Sequence, residues 1–109
     1  MTISRRLFLS QSLSGLGNTS RKLLKAGYVP HLAECLLSLS SDGRFLYIYD
    51  RPVYKEKWFR KSRETIVGLA ATKAEAQELC AQIVSLALSE TGNPDPGPYL
   101  KKFLEENDA

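Results

Sequence analysis

From residue 72 onward the apolar positions follow a helical period. Ala76, Leu79, Cys80, Ile83, Val84, Ala87 and Leu88 recur at spacings of three and four, which gathers them on one face. Thr72 and Glu75 have the spacing of a capping box, in which each side chain satisfies a backbone N–H at the helix start. Gly92-Asn93-Pro94 supplies the stop, so the pattern predicts a helix over residues 73–90. Upstream the period changes to two. Phe45, Tyr47 and Tyr49 alternate with Leu46 and Ile48, and Leu37 and Leu39 alternate with Ser38 and Ser40. Asp42-Gly43 between these runs predicts a hairpin over 35–41 and 44–50, closed by a type I′ turn with positive φ at both central positions. Pro30 at a first turn leaves open a helix running through Leu39 instead.

The remaining elements are weaker. Pro52 ends or bulges the second strand, and residues 53–59 read as a third, exposed strand. Residues 65–69 form a short β-rich segment. Leu9, Leu13 and Leu16 predict an amphipathic helix within residues 1–17, stopped by Gly15 and Gly17. A second short helix over 21–26 is capped by Thr19 or Ser20 and ended by Gly27, with Arg21, Lys22 and Lys25 near one exposed face. The stiff run from Asn93 to Pro98 links to a last short helix over 99–106, whose apolar face is Tyr99, Leu100, Phe103 and Leu104. The expected class is α+β: a small antiparallel three-stranded sheet packed against a C-terminal helix, with short N-terminal helices. The 109 residues predict a single domain, with 1–17 as an N-terminal extension and 93–109 as linker plus helix.

Charge sharpens this picture, because it is split along the chain. Residues 1–63 carry twelve Lys/Arg against four Asp/Glu, whereas residues 64–109 carry three against eight. One-signed surface attracts polyanions. No apolar run approaches the roughly 20 residues that span a bilayer, so no membrane partner is expected. The first acid is Glu34, and the five cations and five serines before it also fit an organellar transit peptide. Ser4-Arg5-Arg6-Leu7-Phe8-Leu9 resembles a twin-arginine export signal, but Gln11, Asn18, Arg21 and Lys22 interrupt its apolar segment. The expected location is cytoplasmic, with a mitochondrial or plastid matrix as the alternative. Cys35 and Cys80 read as free thiols of a reducing compartment, with a single long-loop disulfide as the alternative.

Little catalytic chemistry is on offer. One histidine, His31, and two isolated cysteines fall short of a structural zinc set, and no cofactor is expected. A Cys35–His31 pair would meet only if both lay on a helix. Gly15-x-Gly17 lacks the rest of a phosphate-loop fingerprint. The informative segment is Arg51-Pro52-Val53-Tyr54-Lys55-Glu56-Lys57-Trp58-Phe59-Arg60-Lys61-Ser62-Arg63. Its cations each suit a phosphate, and Tyr54, Trp58 and Phe59 suit base stacking. As a strand, 53–59 would set Lys55, Lys57 and Phe59 on one face and Tyr54, Glu56 and Trp58 on the other. The competing reading makes Tyr54 and Trp58 core and the lysines guards of an edge strand.

Thr72-Lys73-Ala74-Glu75-Ala76, preceded by Asp42-Gly43-Arg44 at a hairpin tip, resembles the arm-binding domain of tyrosine recombinases. That family inserts a three-stranded sheet into the DNA major groove, which implies a reading face on residues 44–60. The same helix start, with Ala76, Cys80 and Ala81, is similar to the double-stranded RNA-binding domain, although Glu75 and Glu78 flank its single lysine, Lys73. The resemblances cover residues 34–88 at most. The expectation is a non-catalytic nucleic-acid-binding module using Arg44, Arg51, Tyr54, Lys55, Lys57, Trp58, Arg60, Lys61 and Arg63, helped by Arg21, Lys22 and Lys25. The alternative is an accessory subunit that docks an acidic protein or self-associates into a homo-oligomer.

Overall fold

The computed structural model describes residues 1–13 and 33–108. The expected helix over 21–26, with Arg21, Lys22, Lys25 and His31, lies outside them. The described chain runs β1 (Thr2–Leu9), a 3-10 turn (Gln11–Leu13), β2 (Cys35–Leu39), β3 (Leu46–Asp50), α1 (Arg51–Tyr54), α2 (Lys57–Arg60), β4 (Thr65–Ala70), α3 (Lys73–Thr91) and α4 (Pro96–Asp108). This is an α+β arrangement with a four-stranded mixed sheet in the order β1-β4-β2-β3. The antiparallel trio β3-β2-β4 is present, but β1 joins it parallel to β4. The expectation of three strands is corrected to four.

Every residue of β2 is buried, and β4 is buried from Ile66 to Ala70, because both faces of the sheet are covered. On one face Cys35, Leu37, Leu39 and Val67 pack under Ala76, Leu79 and Ile83 of α3 and Leu100 of α4. On the other, Leu36, Ile66 and Leu69 pack with Leu13, Ala33, Tyr54 and Phe59. Two central strands apolar on both sides explain why residues 35–39 show so little true alternation.

Residues 1–17 were expected as a helix, yet 2–9 form a strand. Its register with β4 runs Thr2–Thr65 and Ile3–Ile66, then resumes only at Phe8–Gly68, so residues 4–7 bulge. That bulge erases the two-residue period and leaves leucine spacings that imitate a helix. Residues 53–59 are likewise not a strand. They lie in the single-turn helices α1 and α2, with Pro52 in the first turn of α1, where its missing N–H costs nothing.

The long helix is the predicted one, extended to Thr91. Thr72 Oγ1 accepts the Glu75 N–H at 3.1 Å. The reciprocal half of the capping box is replaced. The Glu75 carboxylate accepts the Ser12 N–H at 2.9 Å and the Ser12 hydroxyl at 2.8 Å, which ties the 3-10 turn to the start of α3. At the other end Gly92 takes φ 74° and donates to Leu88 O at 2.9 Å.

The start of α4 rests against the tip of the β2–β3 hairpin. A Cβ on buried Gly97 would fall 2.5 Å from Gly43 O and 3.2 Å from Arg44 O, contacts that backbone atoms cannot easily yield. Gly97→Ala is therefore expected to cost about 1–3 kcal/mol. Urea unfolding checks this, and an unchanged midpoint would contradict the packing.

Candidate nucleic-acid interface

The hairpin forms where expected, but its turn differs. Ser40 N–H donates to Phe45 O at 2.8 Å around the loop 41–44. Gly43 has φ 72°, and no described non-glycine residue has positive φ, so Asp42 does not enter a type I′ turn. Its carboxylate instead accepts the Ser40 hydroxyl and, at 3.0 Å, the Arg44 N–H. Those bonds, the Ser40 one first, hold the Asp42 carboxyl below its ordinary range.

Beyond the turn, β3 is an edge strand, and Phe45, Tyr47 and Tyr49 lie on the sheet face that also carries Leu36. Helices α1 and α2 cover only the Tyr49 end of that face. Phe45 is therefore 54% exposed and Tyr47 42%. Tyr49 is half-buried, and its hydroxyl donates to Glu64 Oε1 at 3.0 Å, while Ser38 Oγ donates to Glu64 Oε2 at 3.2 Å. Burial, and then the Glu64 carboxylate, push the Tyr49 phenol up to about 12.

The rings form one chain of contacts that runs from the surface through the core and out again. Phe45 and Tyr47 lie 6.0 Å apart by centroid, and Tyr47 and Tyr49 5.9 Å. Tyr49 meets Phe59 edge-on at 4.8 Å, and Phe59 meets Trp58 edge-on at 5.9 Å. Phe59 is fully buried, yet its neighbour Trp58 is 59% exposed. The burial of Phe59 anchors α2 and leaves the indole outside.

The predicted cations divide into two groups. Lys55, Lys57, Arg60, Lys61 and Arg63 are exposed on and around α2, and Arg44 is exposed at the hairpin tip beside Phe45. Arg51 is half-buried, and its Nη2 donates to Ala33 O at 3.0 Å. Tyr54, expected among the stacking residues, is 3% exposed, and its hydroxyl donates to the same carbonyl. It offers no free ring face, so Tyr54 is corrected from ligand contact to core. Arg51 acts with it in fixing the entrance of β2. Phe45 and Tyr47 were missed as site residues. Their signal was legible: an edge strand with large aromatics at every second position and aliphatics between them is apolar on both faces, more than an edge needs.

The two cysteines are free thiols. Cys35 is buried, and its Sγ donates to Asp50 Oδ1 at 3.5 Å. Burial first, and Asp50 second, push its thiol up to about 11, so it stays protonated and unreactive at neutral pH. Burial raises Tyr54 to about 12 as well. Such groups keep their protons in the folded chain while the unfolded chain loses them. Stability is therefore expected to fall as pH rises from about 9 toward 12. Thermal unfolding across that window checks the sign, and a rising melting temperature would contradict it.

Among the described residues no group of three or more His, Cys, Asp or Glu gathers as a metal site, and no helix is long and apolar enough to cross a membrane. No protein-family model, curated protein or solved structure matches this chain.

Proposed function

We propose that this chain is a non-catalytic nucleic-acid-binding module. Its contact surface is the ridge of Phe45, Tyr47 and Trp58 with the cations Arg44, Lys55, Lys57, Arg60, Lys61 and Arg63. The observation that carries the reading is the exposure of three large rings, Phe45, Tyr47 and Trp58, on a chain of ring contacts that ends in the most cationic segment of the chain. Isolated exposed aromatics need no explanation, but several of them next to a predominantly cationic segment do.

Two physical terms support the same ligand. Each lysine or arginine that neutralises a phosphate releases a counterion, which gives affinity and makes it salt-dependent. Each exposed ring offers a π-face to a base. A base face is available only when the base is unstacked, so single strands are the expected polymer over duplexes.

The test is fluorescence anisotropy of labelled single-stranded DNA, single-stranded RNA and duplex DNA at two salt concentrations. The expected result is binding to single strands that weakens steeply with salt. No salt-sensitive binding to any of the three would overturn the reading and leave an acidic protein as the partner to seek.

A further inference from the structure

The two edges of the sheet are treated differently. At β1 the edge is guarded: its register breaks after Ile3, and Arg5 and Arg6 are exposed on the bulge. Bulges and charges of this kind block pairing with another strand. At β3 there is no bulge, and the one charge is Asp50 at the strand's end. Its five residues, Leu46 to Asp50, pair with β2 in unbroken register and include no Lys, Arg or Pro. Ser40 and Phe45 form a hydrogen-bonded pair, and bonded pairs alternate along an antiparallel ladder. Tyr47 and Tyr49 therefore direct their backbone groups to β2. Leu46 and Ile48 direct theirs to the outer edge, where no further strand of the described residues lies.

We infer that a second copy of this chain docks there, β3 against β3 across a two-fold axis at Tyr47. The sequence of the strand is complementary to itself in that register. Tyr47 faces its own counterpart as a non-bonded pair, Leu46 faces Ile48 of the second copy as a bonded pair, and Phe45 faces Tyr49. At each end the register brings the exposed side chain of Arg44, on the loop just before the strand, toward exposed Asp50 of the second copy. The neighbouring two-fold registers fail. One sets Leu46 against Asp50, and the other sets Asp42 against Asp50. The pairing leaves side chains perpendicular to the sheet, so the two aromatic ridges become one surface.

This inference does not depend on nucleic-acid binding and is tested without it. Sedimentation over a concentration series should give a mass of twice 12.2 kDa. Arg44→Asp alone and Asp50→Arg alone each set like charges together at both ends, and each should weaken the dimer about tenfold or more. An equimolar mixture of the two variants restores opposite charges at both ends and should dimerise as the natural chain does. Circular dichroism confirms that each variant is folded. The amides of Leu46 and Ile48 should exchange slowly in the dimer. A monomer throughout the series, a dimer indifferent to both substitutions, or fast exchange at Leu46 and Ile48 in a dimer would each overturn the assignment.

Discussion

Replacing Tyr47 and Trp58 together with alanine is expected to weaken single-strand binding by about two orders of magnitude. Base–aromatic stacking contributes roughly 1–3 kcal/mol per ring by alanine substitution, and each 1.4 kcal/mol is about tenfold. The fold should persist, because both side chains are exposed, Tyr47 by 42% and Trp58 by 59%. Trp58 meets the buried Phe59 edge-on. Trp58→Ala alone serves as the control, since it lies away from the β3 edge and leaves any pairing of copies intact. Anisotropy with labelled oligonucleotides reads the loss. A companion variant with Lys55, Lys57, Arg60 and Lys61 changed to glutamine should instead flatten the salt dependence. At about 0.7 per phosphate contact for single strands, four lost contacts lower the slope by about 3. Loss of affinity with an unchanged slope would assign those cations no phosphate contact.

The largest stability effect is expected at Phe59. Its ring is fully buried, meets Tyr49 at 4.8 Å and lies in the cluster of Leu36, Ile66 and Leu69. Phe59→Ala removes the transfer term and leaves a cavity, together about 3–5 kcal/mol. That is a large share of the about 5–15 kcal/mol that holds a domain folded. The substitution should also release α2 and with it Trp58, so binding falls along with stability. Tyr54→Phe should cost about 0.5–1.5 kcal/mol, since Ala33 O loses the hydroxyl but keeps the Arg51 bond. Urea unfolding of both variants checks the order, and a near-neutral Phe59→Ala would contradict the anchoring role of that ring.

The elements that were legible in the sequence are those whose signals are local. Thr72, Glu75 and Gly92 bracket α3, and the Asp42-Gly43 pair separates two runs of period two. Strand β4 was legible as a β-rich segment. The elements that were not legible depend on distant partners. β1 pairs with a strand some sixty positions away, and its bulge hides the alternation that would reveal it. Missing β1 hid the fourth strand and the mixed sheet, and taking 53–59 for the third strand hid the place of β4 beside β2. Residues 53–59 look like a strand because aromatics and lysines alternate there. The informative sign was Pro52, which suits a helix start as well as it ends a strand. Tyr54 and Phe59, five apart across two single-turn helices, both turn inward, while Trp58 between them turns out.

The candidate site shifted for the same reason. The cations expected on residues 55–63 are exposed. The sequence placed its aromatics one element too late. With α1 and α2 folded over the Tyr49 end of the sheet, the stacking surface moves up the hairpin to Phe45 and Tyr47, and only Trp58 remains from the basic segment. The charge split itself becomes partly architectural: Arg51 and Glu75 are committed to Ala33 and Ser12.

Trp58 is the single tryptophan of the chain and lies on the proposed surface, so its emission reports the central claim directly. Titrating the protein with an unlabelled single-stranded oligonucleotide should quench that emission saturably as a base stacks on the indole, and raising the salt should reverse it. Emission that stays constant while an independent assay shows bound oligonucleotide would place the ligand elsewhere and contradict the account.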